Sequence, residues 1–163
     1  MDFPMSRFSD FDLLIKNLIE QNYTVIRMGR NHIDDYIFQN KNFIDFYNSE
    51  KNNINLELIE TLLFRECAFI VSGNSGIDAY AALFKKKIFI TNHFPAGRKP
   101  RYPECIFLPQ IYKMNNKILN FNKIPLKILL SEDINCLNKN NISLIKNNSK
   151  DILEMININI NES

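Results

Sequence analysis

Apolar residues fall on one helical face at Phe11, Leu14, Ile15, Leu18 and Ile19, and Ser9 or Asp10 stands where an N-cap belongs. This spacing predicts a helix over about residues 10–21, ended by Gln21-Asn22. Residues 23–28 are strand-like and closed by Gly29, and residues 43–46 form a second short strand. Leu56, Ile59 and Leu63, flanked by Leu58 and Leu62, predict a helix over about 54–66, followed by a strand at 68–72. The next helix, after Ser75, is expected to bury Ile77, Tyr80, Ala81 and Phe84, with Lys85, Lys86 and Lys87 at its negative end. A strand at 88–91, a loop at 92–104 with three prolines and a strand at 105–108 come next. Beyond Pro109 the pattern weakens. Ser131-Glu132-Asp133 reads as a helix start, residues 142–145 as a short edge strand, and Ser149 as the start of a last helix burying Ile152, Met155 and Ile156. The tail after it is Asn-rich and expected to fray, and no internal repeat is present.

Strands alternating with helices of this length predict βαβ units and a parallel sheet, hence an α/β fold with a Rossmann-like parallel sheet and flanking helices. Ligands of such sheets sit beyond the carboxyl ends of the strands. Three features are expected on that edge: Arg27-Met28-Gly29, the turn Ser72-Gly73-Asn74-Ser75-Gly76, and the loop opening at Thr91-Asn92. A length of 163 residues predicts one domain, with a core over about 7–110 and a weaker extension over 111–163.

The glycine turn carries the sharpest chemistry. Gly73 and Gly76 allow positive φ and a close approach by a ligand, and the helix that follows offers unpaired N–H groups to a phosphate. The other reading makes Ser75 a plain N-cap, with Asp78 completing a capping box. Arg27 ends a buried strand, where a guanidinium needs an anionic partner. That partner is a ligand diphosphate, held by a bidentate fork, or a carboxylate such as Asp45 or Glu66. The turn is neither G-x-G-x-x-G nor a P-loop, and Ile77 replaces the second glycine of a nucleophile elbow. His93 follows Ser75 in order but has no evident acid partner, so serine hydrolase chemistry is not supported. His93, Arg98 and Arg101 form a candidate substrate loop: Arg98, Lys99 and Arg101 meet an anionic substrate or serve solubility, and His93 is an acid/base or a plain hydrogen-bonding residue.

Composition narrows the field. A hydrophobic fraction of 45% fits a globular chain, and a net charge of +2 is too small to imply nucleic acid. There is no run long enough for a membrane-spanning helix, and the first ten residues lack the apolar stretch of a secretory signal. Cys67, Cys105 and Cys136 have no C-x-x-C spacing and read as buried reduced thiols of a cytoplasmic protein. His32 and His93 are the two histidines, and no metal site is predicted. Asn and Ile occur 24 times each and Lys outnumbers Arg 14 to 6, as expected from an AT-rich, bacterial genome. Asn-rich patches therefore carry little functional information.

An ordered set of residues suggests a family. Arg7-x-Ser9-Asp10 leads to Tyr23-x-Val25-Ile26-Arg27-Met28-Gly29 and Ile44-Asp45-Phe46-Tyr47. Cys67-x-Phe69-Ile70, Ser75-Gly76, Phe84, Thr91-Asn92-x-x-Pro95 and Leu108-Pro109 follow, and Asn148-x-x-x-Ile152-x-x-Met155 matches a terminal helix. The whole resembles a family of bacterial glycosyltransferases associated with surface-polysaccharide gene clusters, over about residues 7–110. The resemblance implies the C-terminal, donor-binding half of a GT-B architecture, holding a nucleotide sugar without a metal or other cofactor. It implies that Arg27 and Ser72, Gly73, Asn74, Ser75 and Gly76 meet the donor diphosphate, and that Thr91 and Asn92 lie near the sugar or nucleotide. The chain departs from the family pattern at Lys85-Lys86-Lys87, where glycine and proline are usual, and at Glu57, where aspartate is.

The expected function is thus donor binding for transfer of a sugar to a glycan or lipid-linked acceptor in surface-polysaccharide synthesis. Its catalytic residues are not identified. A two-domain enzyme needs about twice this length, so activity is expected to require an N-terminal half, supplied by another chain or by a longer one. The expected location is cytoplasmic or peripheral at the inner membrane, with no nucleic-acid partner. Two alternatives stay open: a non-catalytic, truncated or split interaction module, and a domain like that of a sugar-nucleotide epimerase.

Overall fold

The computed structural model describes residues 7–28, 37–46, 55–73, 76, 78–100, 102 and 105–160. In chain order its elements are α1 (Asp12–Glu20), β1 (Val25–Arg27), β2 (Phe43–Asp45), α2 (Leu56–Glu66), β3 (Phe69–Ser72), α3 (Asp78–Leu83) and β4 (Lys87–His93). They continue with β5 (Cys105–Pro109), β6 (Ile111–Met114), β7 (Lys117–Ile118), α4 (Leu126–Leu129), α5 (Ile134–Lys139), β8 (Ile142–Ile145) and α6 (Ser149–Ile160). This is an α/β protein with parallel sheets and flanking helices. The chain divides into two compact units: Arg7–Glu66 with Asn148–Ser163, and Met1–Ser6 with Cys67–Asn147.

In the first unit, a 3₁₀ turn at Phe8–Phe11 leads into α1, which buries Leu14, Ile15 and Leu18. The Arg7 N–H donates to the Asp10 carboxylate at 2.8 Å, so Asp10 secures the turn ahead of the helix. Asn22 takes φ 65° at the other end, while the Tyr23 and Asn22 N–H groups bond back to Leu18 and Ile19 carbonyls. That is a Schellman ending with Asn in the left-handed position. The apolar stripe of α1 packs on α6, which buries Ile152, Met155 and Ile156 as the sequence predicts. Asn148 caps α6 through its Oδ1, which accepts from the N–H groups of Lys150 and Asp151. β1 and β2 pair in parallel, with Arg27 in register with Asp45. α2 buries Phe64 and leaves Leu58 and Leu62 exposed.

In the second unit, β3, β4 and β5 form a parallel sheet with β4 in the middle. A central strand covered on both faces needs apolar side chains at successive positions, and β4 is buried from Ile88 to His93. Ile88 and Ile90 pack with Ala81 of α3, surrounded by Ile70, Ala82, Cys105 and Phe107. Phe89, on the opposite face, meets Phe69 edge-on at 5.5 Å.

β4 extends beyond the predicted 88–91. Asn92 adopts φ 54° and the register with β5 shifts between Ile90 and His93, which lets pairing resume at His93–Pro109. α3 has six residues, so it buries Asp78 and Ala81 and leaves Tyr80 exposed, against expectation. It ends in a second Schellman pattern, with Lys85 at φ 53° and the Lys86 and Lys85 N–H groups bonded to Ala81 and Ala82. Lys87 already belongs to β4.

An antiparallel sheet, β7-β6-β8, completes the unit. The β6–β7 hairpin, absent from the sequence reading, turns on Asn115 and Asn116 at φ 48° and 64°. Tyr112 of β6 centres a core with Ile124, Ile128, Leu137 and Ile142. α5 starts at the predicted place, with Asp133 accepting from the Asn135 N–H at 2.8 Å. β8 is an edge strand of its sheet, as expected.

Candidate functional site

The sequence places its candidate residues along one sheet edge, but they belong to two different sheets. Arg27 ends β1 in the two-stranded sheet of the first unit, whereas Ser72, Thr91, Asn92 and His93 belong to the three-stranded sheet of the second. Asn74, Ser75 and Arg101 lie outside the described residues, as do Gly29 and Ile77.

Within its own unit, Arg27 is buried and contacts the Asp45 carboxylate at 3.4 Å. Its guanidinium lies over the Phe8 ring, 3.8 Å from the centroid. The carboxylate partner is therefore the one the β1–β2 register supplies. A diphosphate role for Arg27 rests on its place at a strand end and on the resemblance.

In the second unit, Ser72 ends β3 in register with Ile90, and the chain leaves the sheet at Gly73. A Cβ built on Gly76 would meet nothing within 4 Å, so the turn has open space at that point. Asp78, the first residue of α3, is buried. Thr91 is fully buried, and its Oγ1 donates to the Ser72 carbonyl at 3.2 Å. This ties the ends of β3 and β4 together from the side chain.

Asn92 is clasped to Asn147. Each side-chain oxygen accepts from the other's backbone N–H, at 2.6 and 2.7 Å, and the Asn147 Nδ2 donates to the Pro109 carbonyl at 2.8 Å. Sequence reasoning missed Asn147 because it is one of 24 asparagines with no motif around it.

His93 ends β4. Its Nε2 lies 2.7 Å from the Arg98 carbonyl, which can only accept, so Nε2 carries the proton. The ring packs on Phe107 at 4.8 Å, and Nδ1 is buried with no hydrogen-bond partner among the described residues. Burial pushes the His93 pKa below its ordinary value, against the opposing pull of the Arg98 carbonyl and the Asp78 charge. His93 is thus a neutral imidazole whose Nδ1 offers a lone pair.

The loop after β4 begins with a cis Phe94–Pro95 bond and folds back on the unit. The Ala96 N–H donates to the Tyr112 hydroxyl, and the Gly97 N–H to the Leu129 carbonyl at 2.9 Å. A Cβ on Gly97 would meet the backbone of Leu129 at 3.0 Å, so a side chain there would require Leu129 to give way. Arg98 pairs with Glu132 on an exposed surface, a contact of small energetic weight.

The chain matches no known family model, no curated protein and no solved structure. Among the described residues, no group of three or more His, Cys, Asp or Glu could hold a metal, and no helix is long and apolar enough to cross a membrane. The three cysteines are not joined in disulfides, and each is half-buried rather than buried.

Proposed function

We propose that the β3-β4-β5 sheet is the nucleotide-sugar layer of a glycosyltransferase donor domain, Rossmann-like in type. Its reaction is transfer of a sugar to a glycan or lipid-linked acceptor in surface-polysaccharide synthesis, in the cytoplasm or at the inner face of the membrane. The observation that carries this reading is the βαβ unit β3–α3–β4, whose connection leaves Ser72-Gly73 and has open space at Gly76. In parallel sheets the crevice beyond the carboxyl ends of the strands is the usual ligand position, and an open glycine there lets a diphosphate approach the backbone. Stabilising the departing diphosphate by fixed backbone donors is the catalytic contribution this layer would make. An acceptor-side half would complete the enzyme.

A non-catalytic interaction module is the second reading. Asn92 and Arg98 favour it, since polar groups of both are engaged inside the unit, with Asn147 and Glu132. Calorimetric titration with UDP, GDP and CMP separates the two. Binding of one of them at millimolar concentration or below is expected for the donor domain. A stable protein that binds none of the three is the module.

A further inference from the structure

We propose that His93 reads a hydroxyl group of the bound ligand, accepting its hydrogen at Nδ1, so that the end of β4 faces a sugar ring rather than a phosphate. This rests on the donor-domain reading and adds to it which part of the ligand lies where. The Arg98 carbonyl fixes the proton on Nε2, and the packing on Phe107 fixes the ring. Nδ1 is left as an acceptor, buried and with no hydrogen-bond partner among the described residues. A buried acceptor without a donor is costly, and such groups are uncommon unless something else fills them.

The chemistry of the missing partner follows from the tautomer. A phosphate or carboxylate oxygen would meet a lone pair, and the charge of Asp78 acts on the same ring. An O–H donor fits both. In a nucleotide sugar, such donors are the hydroxyls of the transferred sugar and of the ribose. The diphosphate then belongs toward Gly73 and Gly76, away from His93.

The test uses the whole chain labelled with ¹⁵N in its histidine rings, titrated with UDP, UDP-glucose, GDP and GDP-mannose. An unprotonated ring nitrogen moves upfield when it accepts a hydrogen bond, so the His93 Nδ1 resonance should move on binding. His93→Phe keeps an aromatic ring against Phe107 and removes the acceptor, and should weaken binding about fivefold, the scale of one hydrogen bond. Loss confined to the sugar conjugates places the transferred sugar at His93. Equal loss for nucleotide and conjugate, with 2′- or 3′-deoxy nucleotides binding the wild type as weakly, places the ribose there. If the wild type binds but Nδ1 does not move, because a buried water already occupies it, the inference falls while the donor-domain reading stands. Unchanged affinities in a folded His93→Phe variant have the same meaning. If none of the four ligands binds the wild type, both fall.

Discussion

Asn92 and Asn147 hold each other twice over, each side-chain oxygen accepting the other's backbone N–H across 55 positions of sequence. The arrangement solves a local problem. At the bulge in β4 the backbone of Asn92 turns to φ 54°, so its N–H leaves the ladder and needs a partner inside the protein. Asn tolerates the left-handed conformation better than most residues, and its own oxygen returns the bond. The end of β4 that carries His93 is therefore set by a residue far away in the chain.

Replacing Asn147 by alanine should be among the more damaging polar substitutions in the second unit. It removes the acceptor for the Asn92 N–H and the donor to the Pro109 carbonyl. Each buried group left unmet costs about 1–3 kcal/mol, so a loss of about 2 kcal/mol or more in urea unfolding is expected. Asn148→Ala serves as the comparison, since it removes an exposed helix cap worth about 1 kcal/mol. Equal losses for the two would mean that the clasp contributes no more than a surface cap.

The sequence shows some of this and hides the rest for definable reasons. α1 and α6 are legible because a 3.6-residue stripe is a local signal; α6 buries its three predicted residues, and α1 buries Leu14, Ile15 and Leu18 of the five-residue stripe while Phe11 and Ile19 stay half-buried. The Asn115-Asn116 hairpin is not, because in a chain with 24 asparagines a turn-forming pair looks like background. The sequence pattern ends the strand at Thr91, yet the polar Asn92 and His93 continue β4 and are buried, with the clasp and the Arg98 carbonyl as partners. The choice between Asp45 and Glu66 for Arg27 depends on β1–β2 register, a non-local pairing that no spacing within either strand encodes. The same holds for the division of the parallel strands into two sheets.

Acid should destabilise the protein partly through His93. Burial lowers its folded pKa from the ordinary 6.5, so below that value the unfolded chain binds a proton that the folded chain resists. The contribution is fully present above the unfolded pKa and is lost as pH falls through the folded one. Urea midpoints measured from about pH 7.5 down to about 4.5 should therefore drop more steeply for the wild type than for His93→Phe, which has no proton to take up. His32 and the carboxylates are common to both proteins and cancel in the difference. Parallel pH profiles would show that His93 titrates alike in the folded and unfolded chains.

The Arg27–Asp45 pair should respond unequally to loss of its two members. The Arg27 side chain is 2% exposed and that of Asp45 is 21% exposed, at a separation of 3.4 Å. Water can reach a bare Asp45 carboxylate, whereas the Arg27 charge stays inside the unit if its carboxylate is neutralised. Breaking a buried pair by removing one partner leaves a desolvated charge, and replacing the charge itself by an apolar group of similar volume is often close to neutral. Arg27→Met keeps an apolar side chain near the Phe8 ring, though it gives up the cation–π attraction, worth about 1–2 kcal/mol when desolvated. Asp45→Asn should thus cost at least as much as Arg27→Met, with each near about 2 kcal/mol. Thermal melts of both variants, with and without UDP, GDP and CMP, then address the ligand role expected of Arg27. If Arg27 also grips a diphosphate, Arg27→Met abolishes the ligand-induced rise in Tm while Asp45→Asn retains or enlarges it, because the guanidinium is freed from its carboxylate. If Arg27 serves the fold alone, both variants melt early and both keep the full shift. The second pattern would refute the ligand role expected of Arg27.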